Sequence, residues 1–242
     1  MSDPAAGPNF EAAADPRVEV LRVGAEGHPV LLIDGLLAGA EGLVEFAADT
    51  AVLAPVKSAA NFYPGVRAPA PGGYVRTLIK ALRPHLAQVF GAPIDGQAHI
   101  TSALSMATLP AEAANLAQRL PHIDTTEPSQ LAILHYLCGP EHGGTAFYRH
   151  RATGFEAIGP DRGPAYFAVL RGEIDSGEAP GGYIVGSSDL FEQTATVMPV
   201  FNRVIVYASN LLHAGVLPER PLSQDPRLGR LTANTFFRFA SR

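Results

Sequence analysis

Two residue groupings in this 242-residue chain have the types and spacing for chemistry. The first is His122 and Asp124, in the stretch "PHID" (121–124) ahead of an apolar run. In an extended backbone, residues i and i+2 share a face, so the imidazole and the carboxylate project together while Ile123 points away. Such a pair can take adjacent corners of an octahedral ion. Two histidines and one carboxylate leave three positions open, the arrangement of non-haem Fe(II) oxygenases. An ordinary strand edge is the plain alternative for so short a motif. A third ligand has to come from a distant strand. Among His28, His85, His99, His135, His142, His150 and His213, the strongest candidate is His213. The β-branched run "NRVIVYAS" (202–209) leads towards it, and Ala214 and Gly215 follow.

The second grouping lies in "GRLTANTFFRF" (229–239). There Arg230, Thr232 and Asn234 share one face by period two. A guanidinium beside a hydroxyl is a receptor for a carboxylate, with a charge-assisted and potentially two-pronged contact. A metal next to such a receptor points to a chelating keto-acid cosubstrate. Arg238, eight residues beyond Arg230 on the same face, is the alternative anchor.

These residues need a frame. Val18, Val20 and Val23 mark a strand in "RVEVLRV" (17–23), and "HPVLLIDGLL" (28–37) is a second strand closed by a turn at Asp34-Gly35. Leu43, Phe46 and Ala47 form one helical stripe. "YVRTLIKALRPHLAQVFG" (74–91) has helical spacing throughout, with Pro84 expected to kink or restart it. From about residue 98 the texture is short β-type runs between Gly- and Pro-rich turns: 99–109, 130–138, 144–150, 199–209 and 230–239. The pattern predicts a mainly β chain with helices (α+β), a β-barrel or double-sheet jelly roll backed by N-terminal helices. A loose tail is expected over residues 1–16, then a single domain over 17–242.

Composition narrows the partners. The formal net charge is −5 and no Lys/Arg run occurs, which argues against nucleic acid and membrane surfaces. The single cysteine, Cys138, rules out an intrachain disulfide framework or a multi-cysteine zinc site. No signal peptide or long apolar span is visible, so a cytoplasmic protein is expected.

The order of these motifs resembles the 2-oxoglutarate/Fe(II)-dependent oxygenases, and within them the prolyl-4-hydroxylase-like group. "HPVLLIDGLLAGAEGLVEFAAD" (28–49) is similar to the strand-turn-helix that opens that catalytic domain. "HID" is like its HxD motif, and "LAILHYLCGPEHGGTAFYR" (131–149) resembles a region carrying Tyr136, Gly143, Gly144, Thr145 and Phe147. His213 and the Arg-x-Thr of residues 230–232 follow in order. The resemblance implies a double-stranded β-helix of cupin-like form with Fe(II) on His122, Asp124 and His213. Arg230 would take the distal carboxylate of 2-oxoglutarate, with Thr232 assisting and Tyr136 facing the cosubstrate. With O2 as the third reactant, the products would be succinate, CO2 and an oxidised small-molecule or peptidyl substrate. A carboxylate at position 124 favours hydroxylation over halogenation, which uses that corner for chloride.

Other readings compete. A cupin-like enzyme could use the metal without a keto acid, and a degenerate barrel could be a non-catalytic binding module. His135 reads as a packed histidine, and His142 and His150 as surface residues. "NFYPGVRAP" (61–69), with Arg67, is a loop that folds over the site or packs on the helix. The stretch 161–193 reads as an insertion, and the 151–200 region around it, with the 61–74 loop, is expected to shape the substrate pocket.

Overall fold

The computed structural model describes residues 10–56, 63–93, 95, 97–177, 181–218 and 222–240. In chain order the elements are β1 (Glu11–Ala12), β2 (Arg17–Val23), β3 (His28–Asp34), β4 (Leu37–Ala38), α1 (Glu41–Asp49), β5 (Ala54–Pro55), β6 (Gly65–Pro69) and α2 (Gly72–Phe90). There follow β7 (Ala98–Ala107), α3 (Leu116–Arg119), β8 (Gln130–Tyr136), β9 (Thr145–His150), α4 (Gly163–Asp175), β10 (Phe191–Val197), β11 (Arg203–Ala208), β12 (His213–Gly215) and β13 (Arg230–Phe239).

An antiparallel sheet of eight strands, in the order β2-β3-β11-β8-β13-β7-β6-β5, faces a smaller sheet in the order β10-β9-β12. Two antiparallel sheets with crossing connections make the double-stranded β-helix, or jelly roll, that the strand pattern predicts. Alternation assigns each face of the large sheet. Ile33, Val204, Ile133, Ala233 and Leu104 pack against Leu78, Leu82 and Leu86 of α2. The opposite face, including Leu32, Ile205, Leu134 and Tyr136, meets Phe147 and Val197 of the small sheet. Strand β8 is thus buried on both sides, which is why "LAILHY" reads as an unbroken apolar run. The outer face of the small sheet, through Tyr148 and Phe191, is closed by Tyr166 of α4.

Several expectations are corrected. The tail ends earlier than residue 16: Phe10 is buried in the core, and Glu11–Ala12 pairs with Leu37–Ala38. Helix α2 continues through Pro84 without restarting and ends at Gly91, whose left-handed φ of 68° lets its N–H reach Ala87 O. The segment read as an insertion contributes a sheet strand, since β10 pairs along the whole of β9. Its helix then covers that sheet, so His150 is buried, with its ring nitrogens 2.9 Å from Thr153 Oγ1 and 2.8 Å from Glu173 Oε2. His142 is likewise buried rather than on the surface.

Candidate metal centre

His122 and Asp124 sit in the irregular chain between α3 and β8, beside the edge of the small sheet. Asn115 and Gln118 cap α3 reciprocally and direct the chain towards that edge. There His122 N–H donates to His213 O at 2.9 Å and His213 N–H donates back to His122 O at 3.0 Å. Asp124 N–H donates to Ser209 O at 2.8 Å. This one-residue bridge brings together residues 91 positions apart in the chain.

The imidazole tautomers follow from their partners. His122 Nδ1 lies 3.2 Å from Leu120 O, and His213 Nδ1 lies 2.8 Å from Leu211 O. A carbonyl oxygen only accepts, so each Nδ1 carries the proton and each Nε2 keeps a lone pair. The ring centroids are 4.7 Å apart. His213 Nε2 stands 3.7 Å from Asp124 Oδ2, too far for a hydrogen bond. Ligands about 2.1 Å from one ion are separated by roughly 3–4 Å, which is the spacing seen. One donor atom from each of the three residues falls within 4.8 Å of the others.

Electrostatics fits the same ion. Burial pushes both imidazoles down to about 4, reinforced at His122 by the charge of His213, so both are neutral near pH 7. Burial pushes the Asp124 carboxyl up to about 6, against the attraction of His122 and Arg67. Asp124 Oδ2 is buried with no hydrogen-bond partner among the described residues. A buried carboxylate oxygen without a partner, facing two neutral nitrogen donors, is a set that a divalent cation completes.

The triad opens into a cavity of about 520 Å³ between the two sheets. Arg230 lines it, buried at 4% exposure. Its Nη2 donates to Gly144 O at 3.1 Å, while its Nε has no partner among the described residues. That anchor depends on the Gly143-Gly144 pair. A Cβ at Gly143 would collide with Val216 O, and one at Gly144 with Val197 O. Tyr136 stands beneath, its hydroxyl 2.6 Å from Thr145 Oγ1, and Thr145 forms part of the wall. Burial pushes the Tyr136 hydroxyl up to about 12, against the charge of Arg230.

The remaining candidates separate cleanly. Thr232 is fully buried but does not line the cavity; its hydroxyl lies within hydrogen-bond reach of Ser105 O and Asn234 Oδ1. Asn234 does line the cavity. Arg238 is exposed near the far end of β13, away from the cavity wall. His135 points to the helix-covered face, between Tyr74 Oη at 3.2 Å and Asn202 Oδ1 at 3.1 Å. Burial pushes the Cys138 thiol up to about 11, leaving it inert at neutral pH.

Of the two segments expected to shape the pocket, only one does. Tyr63, Pro64 and Arg67 line the cavity, residues 61 and 62 lie outside the described residues, and none of the described residues within 151–200 is in the lining. Tyr207, whose ring centroid lies 4.8 Å from that of His213, is a wall residue that motif reading missed. Its alternation with Ile205 in "VIVYAS" is the signal that places it inward. A second group of possible ligands, Glu26, His28 and Glu156, has another task. Glu156 accepts from Ala25 N at 2.7 Å and Glu26 N at 3.0 Å, pinning the β2–β3 turn, and Glu26 pairs with Arg162.

A family profile matches residues 14–237. The chain belongs to the family of unknown function DUF6445. No curated protein matches its sequence. Among solved structures it is similar to HygX from Streptomyces hygroscopicus, determined with nickel and 2-oxoglutarate bound. That match has 15% identity, covers 89% of this chain and 84% of the other, and has a TM-score of 0.46. It is also similar to EctD from S. alaskensis with bound Fe, at 14% identity, 96% and 84% coverage and a TM-score of 0.43. A third is SnoN, a non-heme alpha-ketoglutarate-dependent epimerase from nogalamycin biosynthesis, at 12% identity, 87% and 78% coverage and a TM-score of 0.47. No helix among the described residues is long and apolar enough to cross a membrane.

Proposed function

We propose that this protein is an Fe(II)- and 2-oxoglutarate-dependent oxygenase of the prolyl-4-hydroxylase-like kind, hydroxylating an organic substrate with release of succinate and CO2. The observation that carries the reading is one cavity holding His122, Asp124 and His213 as a facial donor set, with the buried Arg230 in the same wall. Fe(II) on these ligands, with 2-oxoglutarate and O2, supplies the oxidising power for substrate hydroxylation.

The chain's own residues set up that chemistry. Leu120 O and Leu211 O hold the two Nδ1–H groups and so keep each Nε2 turned to the metal. Asp124 would supply the anionic ligand beside the two imidazoles. Arg230, fixed by Gly144 O, receives the distal carboxylate of 2-oxoglutarate. Tyr136 and Thr145 fill the floor beneath it, and Thr232 stiffens the strand that carries it. Tyr207, packed on the His213 ring and backed by Phe147, would help keep bulk water from a bound ion.

The test is an anaerobic titration of Fe(II) with and without 2-oxoglutarate. A visible charge-transfer band that needs both components is expected, and His122→Ala, Asp124→Ala or His213→Ala should each abolish it. Tight Fe(II) binding with no 2-oxoglutarate-dependent band would replace this reading with a cupin-like enzyme lacking a keto acid. Failure to bind Fe(II) at all would leave a binding module.

A further inference from the structure

Among the described residues, Arg67 is the charged side chain of the cavity wall that the proposed chemistry does not use. Strand β6 carries it to the inner face of the large sheet, in a cross-strand row that runs from Arg67 to Ser105, Thr232 and Tyr136. Two contacts fix its guanidinium. Nε donates to Ser105 Oγ at 2.9 Å, and the group lies over the Tyr63 ring, 5.1 Å from its centroid. Arg67 lines the cavity with Nε engaged by Ser105, and a planar guanidinium fork there matches a carboxylate.

Arg149, Arg162, Arg203 and Arg227 each pair with an Asp or Glu, whereas Arg67 forms no ion pair among the described residues. The carboxylate that acts on it at longer range is Asp124, and burial pulls the pKa of Arg67 down from the usual arginine value. A metal on Asp124 would claim that charge and leave a partly buried guanidinium in need of another counter-ion.

Charge accounting says what that is. In the proposed complex the ion brings two positive charges and Arg230 one. Asp124 brings one negative charge and the two carboxylates of 2-oxoglutarate bring two. Those groups neutralise one another, and Arg67 remains as a single positive charge facing the same space. We infer that Arg67 is the specificity anchor for the prime substrate, a small organic acid whose carboxylate docks on its guanidinium beside Tyr63. This deepens the proposed function and rests on its assignment of Arg230 to the cosubstrate. The cavity of about 520 Å³ must hold both molecules, which restricts the acid to modest size.

The experiment uses protein loaded with Mn(II) and 2-oxoglutarate, which is stable in air, and reads binding from paramagnetic relaxation of probe protons. The probes are matched pairs, benzoate with benzamide and hexanoate with hexanamide. The wild-type protein should bind the acids about tenfold or more tightly than the amides, since the acids alone accept charge-assisted bonds. Arg67→Gln should erase that preference, and Arg67→Lys should restore part of it. The affinity of either variant for 2-oxoglutarate, measured before any probe is added, should stay within about threefold of wild type. Equal binding of acid and amide, absence of acid binding, or a preference that survives in Arg67→Gln would overturn the inference. So would loss of 2-oxoglutarate binding in Arg67→Gln, which would make Arg67 the cosubstrate anchor. Wild-type protein that takes up Mn(II) but no 2-oxoglutarate would sink the proposed function itself, and this inference with it.

Discussion

Arg230→Ala tests the division of labour in the cavity more directly than a ligand mutation does. Arg230 is buried, and Gly144 O occupies its Nη2. Nε, which has no partner among the described residues, and the other terminal nitrogen remain for a carboxylate. Truncating one side of a buried, hydrogen-bonded charge pair costs about 2–5 kcal/mol, because the remaining charge is stranded. The apparent affinity for 2-oxoglutarate should therefore fall by roughly thirty-fold to several thousand-fold. The assay is the anaerobic titration of 2-oxoglutarate into Fe(II)-loaded protein, followed by the charge-transfer band. Affinity for the metal alone, measured by calorimetry, should hardly move, since Arg230 does not contact the triad. Arg230→Lys should recover part of the loss, because charge survives and the two-pronged geometry does not. Arg238→Ala, on the same strand but exposed, should leave the titration unchanged. An Arg230→Ala protein that binds 2-oxoglutarate as wild type does would refute the receptor assignment.

Three further outcomes are expected. The core packs around the sheets and α2 rather than around the ion, so chelated protein should keep native-like circular dichroism and a cooperative melt; unfolding on chelation would contradict this architecture. His135→Ala should lower stability by about 2–4 kcal/mol in urea denaturation, since it opens a cavity and leaves Tyr74 Oη and Asn202 Oδ1 without their ring partner, while Fe(II) affinity stays unchanged. Arg203 holds the Asp34 carboxyl below its usual value of 3.8, so this pair stabilises the fold above that pH and loses its contribution as pH falls through the depressed value. Asp34→Asn should accordingly cost about 1 kcal/mol at pH 7 and progressively less at pH 3, and an equal cost at both would show that the charge is immaterial.

The strands that bury one or both faces were legible because burial writes itself into side-chain period. "RLTANTFFRF" coincides with β13 residue for residue. "RVEVLRV" matches β2 in extent but not in face: Val18 and Val20 are exposed, and Leu21 and Val23 are the side chains turned to the core. What escaped was structure whose partners are remote. Strand β10, "FEQTATV", is polar on much of its length, and only its pairing with β9 makes it a strand. Strand β12 is three residues long, too short for any periodicity, and is defined by Phe147, Ala146 and Thr145 opposite it. Helix α2 passing through Pro84 belongs to the same class. Local chemistry argues for a break there, and the helix face buried by Leu78, Leu82 and Leu86 overrides it.

The candidate site divides along the same line. The pattern His-x-Asp could be read because its two side chains are near neighbours, although the chain there makes a single bridge rather than a strand. Its third member could be ranked but not assigned, since only the hydrogen bonds between His122 and His213 bring the two together. Period two put Arg230, Thr232 and Asn234 on one face correctly. It could not show that Tyr63 and Arg67 overlie that face, so Thr232 serves the frame while Arg230 reaches the cavity. The two arginines are alike in the sequence. Their difference arises in three dimensions, where one is tied to the Gly144 carbonyl deep in the wall and the other is held by Ser105 and Tyr63 in the same space. On the proposed reading, that separation of two cations within one cavity would let a cosubstrate and a substrate, both acids, be told apart.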